Sequence, residues 1–171
     1  FLTMFALLSI AFKSYFLPLI ILSALPFGFC GAVIGHVVFG KGLSMISYWG
    51  IGAACGVVIN DNLVLVDYIN RVRKSGKHLL EAVIEAGVVR FRPIVITSIT
   101  TFVGLMPIML EPSVQANFLK PAVISLTCGV VLCAPVTLIL VPCLMVIGAD
   151  IKEVLIRIPQ AIKKQFSPNA T

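Results

Sequence analysis

One aspartate, Asp61, interrupts an apolar stretch that extends from residue 42 to about residue 70. An ionisable side chain at bilayer depth is costly unless it has a partner or water, and it marks a candidate functional site. Its neighbours Asn60 and Asn62 are also polar. One interpretation is a buried carboxylate that hydrogen-bonds a neighbouring helix and never changes protonation. The other is a group in a partly wet crevice that takes up and releases a proton near neutral pH.

A second polar feature follows on the next apolar run. Arg90, Ile94, Thr97, Thr101 and Gly104 repeat at 4-3-4-3 spacing, which places them on one face of a helix. Arg90 would then begin a polar stripe that continues through Thr97 and Thr101. We expect this stripe to face Asp61, with Asn60 as a hydrogen-bonding neighbour, in a proton relay.

Distances along the chain give these groups comparable depths. Asp61 is ten residues from Arg71, or about 15 Å along a helix that rises 1.5 Å per residue. Thr101 is nine residues from Arg92, so we expect it at nearly the same depth as Asp61. Arg92 itself fits a simple topogenic charge. Asp67, four residues before Arg71, fits a helical ion-pair partner better than a transport group.

The elements that must position these residues are membrane helices. The chain of 171 residues is 59% hydrophobic and 12% charged, about half the charged fraction of a soluble domain. A span needs about 20 apolar residues, and four runs qualify: 14–40, 42–70, 93–110 and 121–149. The pattern predicts an all-α polytopic transmembrane bundle over residues 14–149. Residues 1–13 are too short to cross, and we interpret them as the truncated end of an upstream helix in a longer protein.

Positive charge is concentrated in two places, the loop 71–92 and the tail 150–171. The positive-inside rule places both in the cytoplasm and therefore predicts a cytoplasmic C-terminus. Apolar residues at 3–4 spacing predict an amphipathic interfacial helix over about 74–90. A second short helix is expected in the tail until Pro159, followed by a disordered end. The same distribution of charge argues against nucleic acid as a partner and favours the lipid bilayer.

No pattern in the chain indicates an enzyme. The five cysteines all lie inside apolar runs without metal-ligand spacing, and we expect them to be packing residues. We predict no metal, no cofactor and no catalytic residue. The glycine pairs 31/35 and 52/56 have the small-xxx-small spacing that brings membrane helices close together.

An ordered set of motifs carries a family resemblance over about residues 1–150. These are FKSYFLP at 12–18, the pair Pro26 and Gly31, GVVINDNLVLVD at 56–67, RFRPIVIT at 90–97, GLMP at 104–107 and the closing Val141-Pro142. Together they resemble the C-terminal membrane portion of resistance-nodulation-division (RND) efflux permeases of the hydrophobe/amphiphile branch.

The resemblance implies the end of an eighth transmembrane helix followed by the ninth to twelfth. It also implies a bacterial inner-membrane homotrimer that couples proton entry to export of small amphiphilic compounds. A periplasmic adaptor and an outer-membrane channel would be reached through domains outside this chain. The family's arginine and threonine, which surround an aspartate pair on the fourth helix, fall on Arg90 and Thr97. Asn60 stands where relatives have a lysine, so Asp61 either carries the proton itself or tunes one carried elsewhere.

Two other classes stay open. A non-export member of the same superfamily, such as a protein-translocation accessory or a lipid permease, would share this membrane half. A purely structural membrane subunit is the third reading, and Asp61 with the Arg90 stripe argues against it.

Overall fold

The computed structural model describes the backbone of residues 2–165 and the side chains of residues 2–151. This part of the chain is helical, with no strand among the described residues, which confirms the all-α prediction. The helices are α1 (Leu2–Phe12), α2 (Phe16–Leu22), α3 (Leu25–Val38), α4 (Met45–Lys74), α5 (Leu79–Leu110) and α6 (Val114–Gln165).

Four segments of the described chain are long and apolar enough to cross a membrane, as the sequence predicted. They are Phe16–Val38, Met45–Lys74, Leu79–Leu110 and Val114–Ile151. Helix α1 has 11 residues and is too short.

The first span is broken into α2 and α3. Pro26 lies in the first turn of α3 and has no N–H to donate to the carbonyl group of Leu22. Its ring also crowds that carbonyl, so α2 ends at Leu22 and α3 begins at Leu25. The Ser23 hydroxyl donates a hydrogen bond of 2.6 Å to the Ile20 carbonyl within the break.

Helix α6 is the centre of the bundle and packs against α2, α3, α4 and α5. Small residues allow this close packing. A Cβ added to Gly31 would lie 3.0 Å from the Cys128 carbonyl oxygen, and one added to Gly35 would overlap the Cys128 side chain. The predicted role of this glycine pair is therefore confirmed.

The corresponding prediction for Gly52 and Gly56 is not supported within the described chain, because a Cβ added to either would meet nothing within 4 Å. Gly50 takes that role instead, since its added Cβ would overlap the backbone of Ala122 on α6. The rotation of α4 against α6 thus puts a different glycine at the interface.

Two stretches predicted as separate interfacial helices continue without a break from their neighbouring spans. Of the interfacial helix predicted over about 74–90, residues 75–78 are instead the connection between α4 and α5. Residues 79–90 and the following span form the single helix α5, which passes through Pro93. Helix α6 likewise continues past Pro159 to Gln165. A proline removes one hydrogen bond without always ending a membrane helix, because neighbouring groups satisfy the freed carbonyl. The interfacial position of 79–90 stays a prediction, and the end at 166–171 lies outside the described residues.

Candidate proton-relay site

Helix α4 presents its three consecutive polar residues in three directions. Ala54, Val58, Asn62, Leu65 and Ile69 are buried and repeat at 3–4 spacing, so they form the packed stripe of α4. Successive residues are rotated by about 100° around a helix. Asp61 therefore lies beside the stripe and is partly buried, while Asn60 points away from it and is exposed.

The Asp61 carboxylate makes no hydrogen bond or ion pair with any group in the described chain. The structure thus does not join Asp61 directly to Asn60, Arg90, Thr97 or Thr101. A partly buried carboxylate without a protein partner must be hydrated or meet a partner from elsewhere, because isolated charge is costly at this depth.

The two threonines of the predicted stripe use their hydroxyl protons within α5. Thr97 donates to the Pro93 carbonyl over 3.0 Å, and Thr101 donates to the Thr97 carbonyl over 2.8 Å. Both residues are partly exposed, whereas Ile94 and Ser98 lie on the buried side. Each threonine oxygen therefore offers lone pairs, rather than a free proton, to any group nearby.

We call the end of the bundle that contains residues 71–77 its basic end. Arg90 belongs to a polar cluster at this end. Its guanidinium carbon lies 5.5 Å from the centroid of the Tyr68 ring, a cation–π distance. The Tyr68 hydroxyl donates to Glu85 over 3.3 Å, and Lys77 forms a 2.6 Å ion pair with the same carboxylate. The Glu85 carboxylate raises the pKa of Lys77. Arg90 Nε is buried without a partner among the described groups.

These contacts also fix the relative depths of α4 and α5, which run antiparallel because residues 75–78 connect them. Tyr68 is level with residues 85–90 of α5. Seven residues further from the basic end, Asp61 is level with about residues 92–97. Thr97 is thus nearest to the depth of Asp61. Thr101 lies about 6 Å beyond Thr97 along α5. It is therefore about one turn further from the depth of Asp61 than the sequence distances indicated.

Asp67 lies where the sequence predicted, as a helical ion-pair partner. Its carboxylate is 2.8 Å from the guanidinium of Arg71, four residues later, and both side chains are substantially exposed. An exposed pair of this kind contributes little to stability, typically about 0–1 kcal/mol. No group of three or more potential metal ligands occurs in the described part of the chain.

Comparison with known proteins identifies the family. The family model for AcrB/AcrD/AcrF matches residues 1–148. The chain is 32% identical to multidrug resistance protein MdtC of Proteus mirabilis over 141 residues, which are 82% of this chain and 14% of that protein. It is 31% identical to the MdtC of Erwinia amylovora over the same shares. The chain belongs to the AcrB/AcrD/AcrF family.

This result confirms the RND resemblance drawn from the motifs. The chain spans about one seventh of the length of these curated relatives, so the site described here can be only part of the site in a full-length protein. The exposed faces of α4 and α5 in this AcrB/AcrD/AcrF chain therefore need not be the exposed faces of a full-length family member. Beyond Ser98, no residue of α5 is buried within the described chain.

Asn62 has a structural role that the sequence analysis did not predict. Its Nδ2 donates to the Ile21 carbonyl over 3.4 Å, and its Oδ1 is buried without a described partner. Ile21 lies in the last turn of α2, where carbonyl groups lack helical donors. Asn62 thus satisfies a carbonyl freed by the break in the first span. The 3–4 spacing of the α4 stripe was the available indication.

Proposed function

We propose that this chain is the C-terminal membrane portion of a proton-driven efflux transporter that exports hydrophobic or amphiphilic compounds across the bacterial inner membrane. The names of the relatives, multidrug resistance proteins, favour export over a protein-translocation or lipid-permease role. Family membership likewise favours a transporter over an enzyme or a structural subunit.

A single observation carries the antiport proposal. Asp61 is a partly buried carboxylate in an apolar helix, and it has no partner in the described chain. A structural carboxylate at such depth is expected to be hydrogen-bonded, because an unsatisfied one costs free energy without benefit. A group that must gain and lose a proton needs access to water or to a changing partner. Asp61 fits the second description.

The remaining predicted relay residues act around Asp61 in this proposal. Thr97, nearest in depth on the next helix, offers the lone pairs of its hydroxyl oxygen. Arg90 sets positive charge at the basic end, on the path a proton takes between cytoplasm and membrane centre. Asn60 lies on the exposed side of α4 and would face groups outside this chain. The family resemblance implies that these groups include the paired aspartates of the fourth helix.

The proposal includes the assembly implied by the resemblance. The transporter would act as a homotrimer and reach a periplasmic adaptor and an outer-membrane channel through its other domains. The positive charge of residues 71–92 and of the tail supports a cytoplasmic C-terminus.

The test is Asp61→Asn in the complete transporter, with Asp67→Asn as the matched control. Both changes remove one carboxylate from α4, but Asp67 lies at the surface in its pair with Arg71. We expect Asp61→Asn to abolish energised efflux of a fluorescent amphiphilic cation at an unchanged membrane level of the protein. Asp67→Asn should keep at least half of the wild-type rate.

The coupling itself is measured in proteoliposomes with an internal pH dye. Substrate addition should drive proton movement in the wild type and in Asp67→Asn, but not in Asp61→Asn. Full export by Asp61→Asn would assign Asp61 a structural role and refute the proposal for this residue.

A further inference from the structure

A cavity of about 560 Å³ opens at the basic end of the bundle, where the end of α4 meets the starts of α2 and α5 and the later part of α6. Its volume lies within the range of about 300–1,000 Å³ typical of ligand sites. The lining divides into an apolar part and a polar part, represented by Phe16, Met145 and Gly148 on one side and Ser14, Asn70 and Arg73 on the other.

The apolar wall depends on close contact between two helices. A Cβ added to Gly148 on α6 would overlap the ring of Phe16 on α2. The absence of a side chain at residue 148 therefore lets the Phe16 ring lie directly against α6. Met145 is buried one turn before Gly148 and extends the same surface toward the membrane interior.

The polar part lies at the ends of helices. Ser14 is in the connection between α1 and α2, and Arg73 is in the last turn of α4. Arg73 is the one charged side chain among the described lining residues, and it is exposed. A guanidinium group presents a planar set of donors that matches the geometry of a phosphate. Asn70 and Ser14 add neutral donors beside it.

We propose that this cavity binds an anionic phospholipid, with an acyl chain against Phe16 and Met145 and the phosphate beside Arg73. An apolar wall with an arginine at its polar end matches a lipid, which joins an acyl chain to a negative headgroup. Basic pockets between the ends of membrane helices are recognised positions for such headgroups. A free phosphate would leave the apolar wall exposed, and an apolar segment of protein would leave Arg73 without an anion.

The experiment uses the complete transporter, purified in mild detergent and measured by native mass spectrometry. Dioleoylphosphatidylglycerol is titrated in parallel with dioleoylphosphatidylcholine, which has the same chains and no net charge. The wild type should bind the anionic lipid more tightly. Arg73→Gln should weaken that binding roughly tenfold or more, as expected for a lost charged hydrogen bond.

Arg71→Gln is the matched control for charge, because Arg71 lies in the same last turn but does not line the cavity. It should leave the affinity for the anionic lipid within twofold of wild type. Equal weakening by Arg71→Gln and Arg73→Gln would indicate general electrostatic attraction and overturn the proposal. Equal binding of the two lipids by the wild type would overturn it as well.

A second pair of variants tests the acyl chain. Ala149→Phe adds bulk to a lining position, whereas Ile147→Phe changes an exposed position on the same helix that does not line the cavity. Only Ala149→Phe should lower lipid occupancy. Unchanged occupancy in Ala149→Phe, or complete displacement of the lipid by inorganic phosphate, would refute a lipid site. Lipid binding is measured without transport. The result is therefore interpretable even if the antiport proposal fails.

Discussion

Replacement of Gly50 by alanine tests the packing that holds α4 against α6. The added Cβ would overlap the Ala122 carbonyl oxygen and lie 2.8 Å from the Ala122 carbonyl carbon and Cα. All three atoms belong to the backbone of a central helix, so no side chain can rotate away to make room. The two helices must separate instead.

The magnitude follows from comparison with Gly52→Ala two residues later. Alanine is favoured over glycine in a helix by about 1 kcal/mol, and this gain is common to both variants. Gly52 has open space where the Cβ would be, so it keeps the gain. Overpacking at Gly50 costs about 1–3 kcal/mol and occasionally more. Gly50→Ala should therefore be less stable than Gly52→Ala by about 1–3 kcal/mol, or roughly 5- to 150-fold in the equilibrium constant.

The assay is thermal unfolding of the complete transporter in detergent, followed as loss of the folded peak in size-exclusion chromatography. Gly50→Ala should unfold at a lower temperature than Gly52→Ala, which should match or exceed the wild type. Equal unfolding temperatures for the two alanine variants would refute the inferred rotation of α4 against α6. An unfolding temperature lower for Gly52→Ala than for Gly50→Ala would do the same and would favour the glycine pair predicted from spacing.

Two further substitutions test buried polar links. Asn62→Ala removes the donor to the Ile21 carbonyl and should cost about 1–3 kcal/mol in the same assay. Ser47→Ala leaves the buried His36 Nε2 without its 2.9 Å partner and should also cost about 1–3 kcal/mol. A neutral effect of Ser47→Ala would mean that this histidine does not fasten α3 to α4.

The number and approximate position of the spans could be predicted because they depend only on apolar length. The ends of the helices depend on local hydrogen bonding, and the sequence predicted these ends less well. Pro26 breaks the first span, whereas Pro93 lies inside the continuous helix α5. At the break, Asn62 donates a hydrogen bond to the Ile21 carbonyl in the last turn of α2. Such compensation comes from a residue 41 positions away and has no local pattern.

The orientation of α4 was the main quantity that sequence periodicity did not fix. Most residues on every side of the N-terminal half of α4 are apolar, so the 3–4 pattern distinguishes the packed face only weakly. Spacing alone selected Gly52 and Gly56, although the packed face contains Gly50 and Ala54. Arg90 was similarly assigned by its position in a stripe, whereas its cation–π partner, Tyr68, is on the neighbouring helix.

The presence or absence of a hydrogen-bond partner separates the structural polar residues from the candidate transport residues. Asn62 and His36 lie inside the packed bundle, and each hydrogen-bonds a group on a neighbouring helix of this chain. Asp61 and Asn60 lie progressively further from the packed stripe of α4, and Asp61 has no partner in the described part. Helix α4 uses Asn62 in a contact with α2 and leaves its deep carboxylate, Asp61, without a partner in the described chain, so Asp61 is available to water or to another part of the protein. That asymmetry is what a proton-coupling group needs, because a carboxylate held by a fixed partner would lose its partner's stabilisation in every cycle.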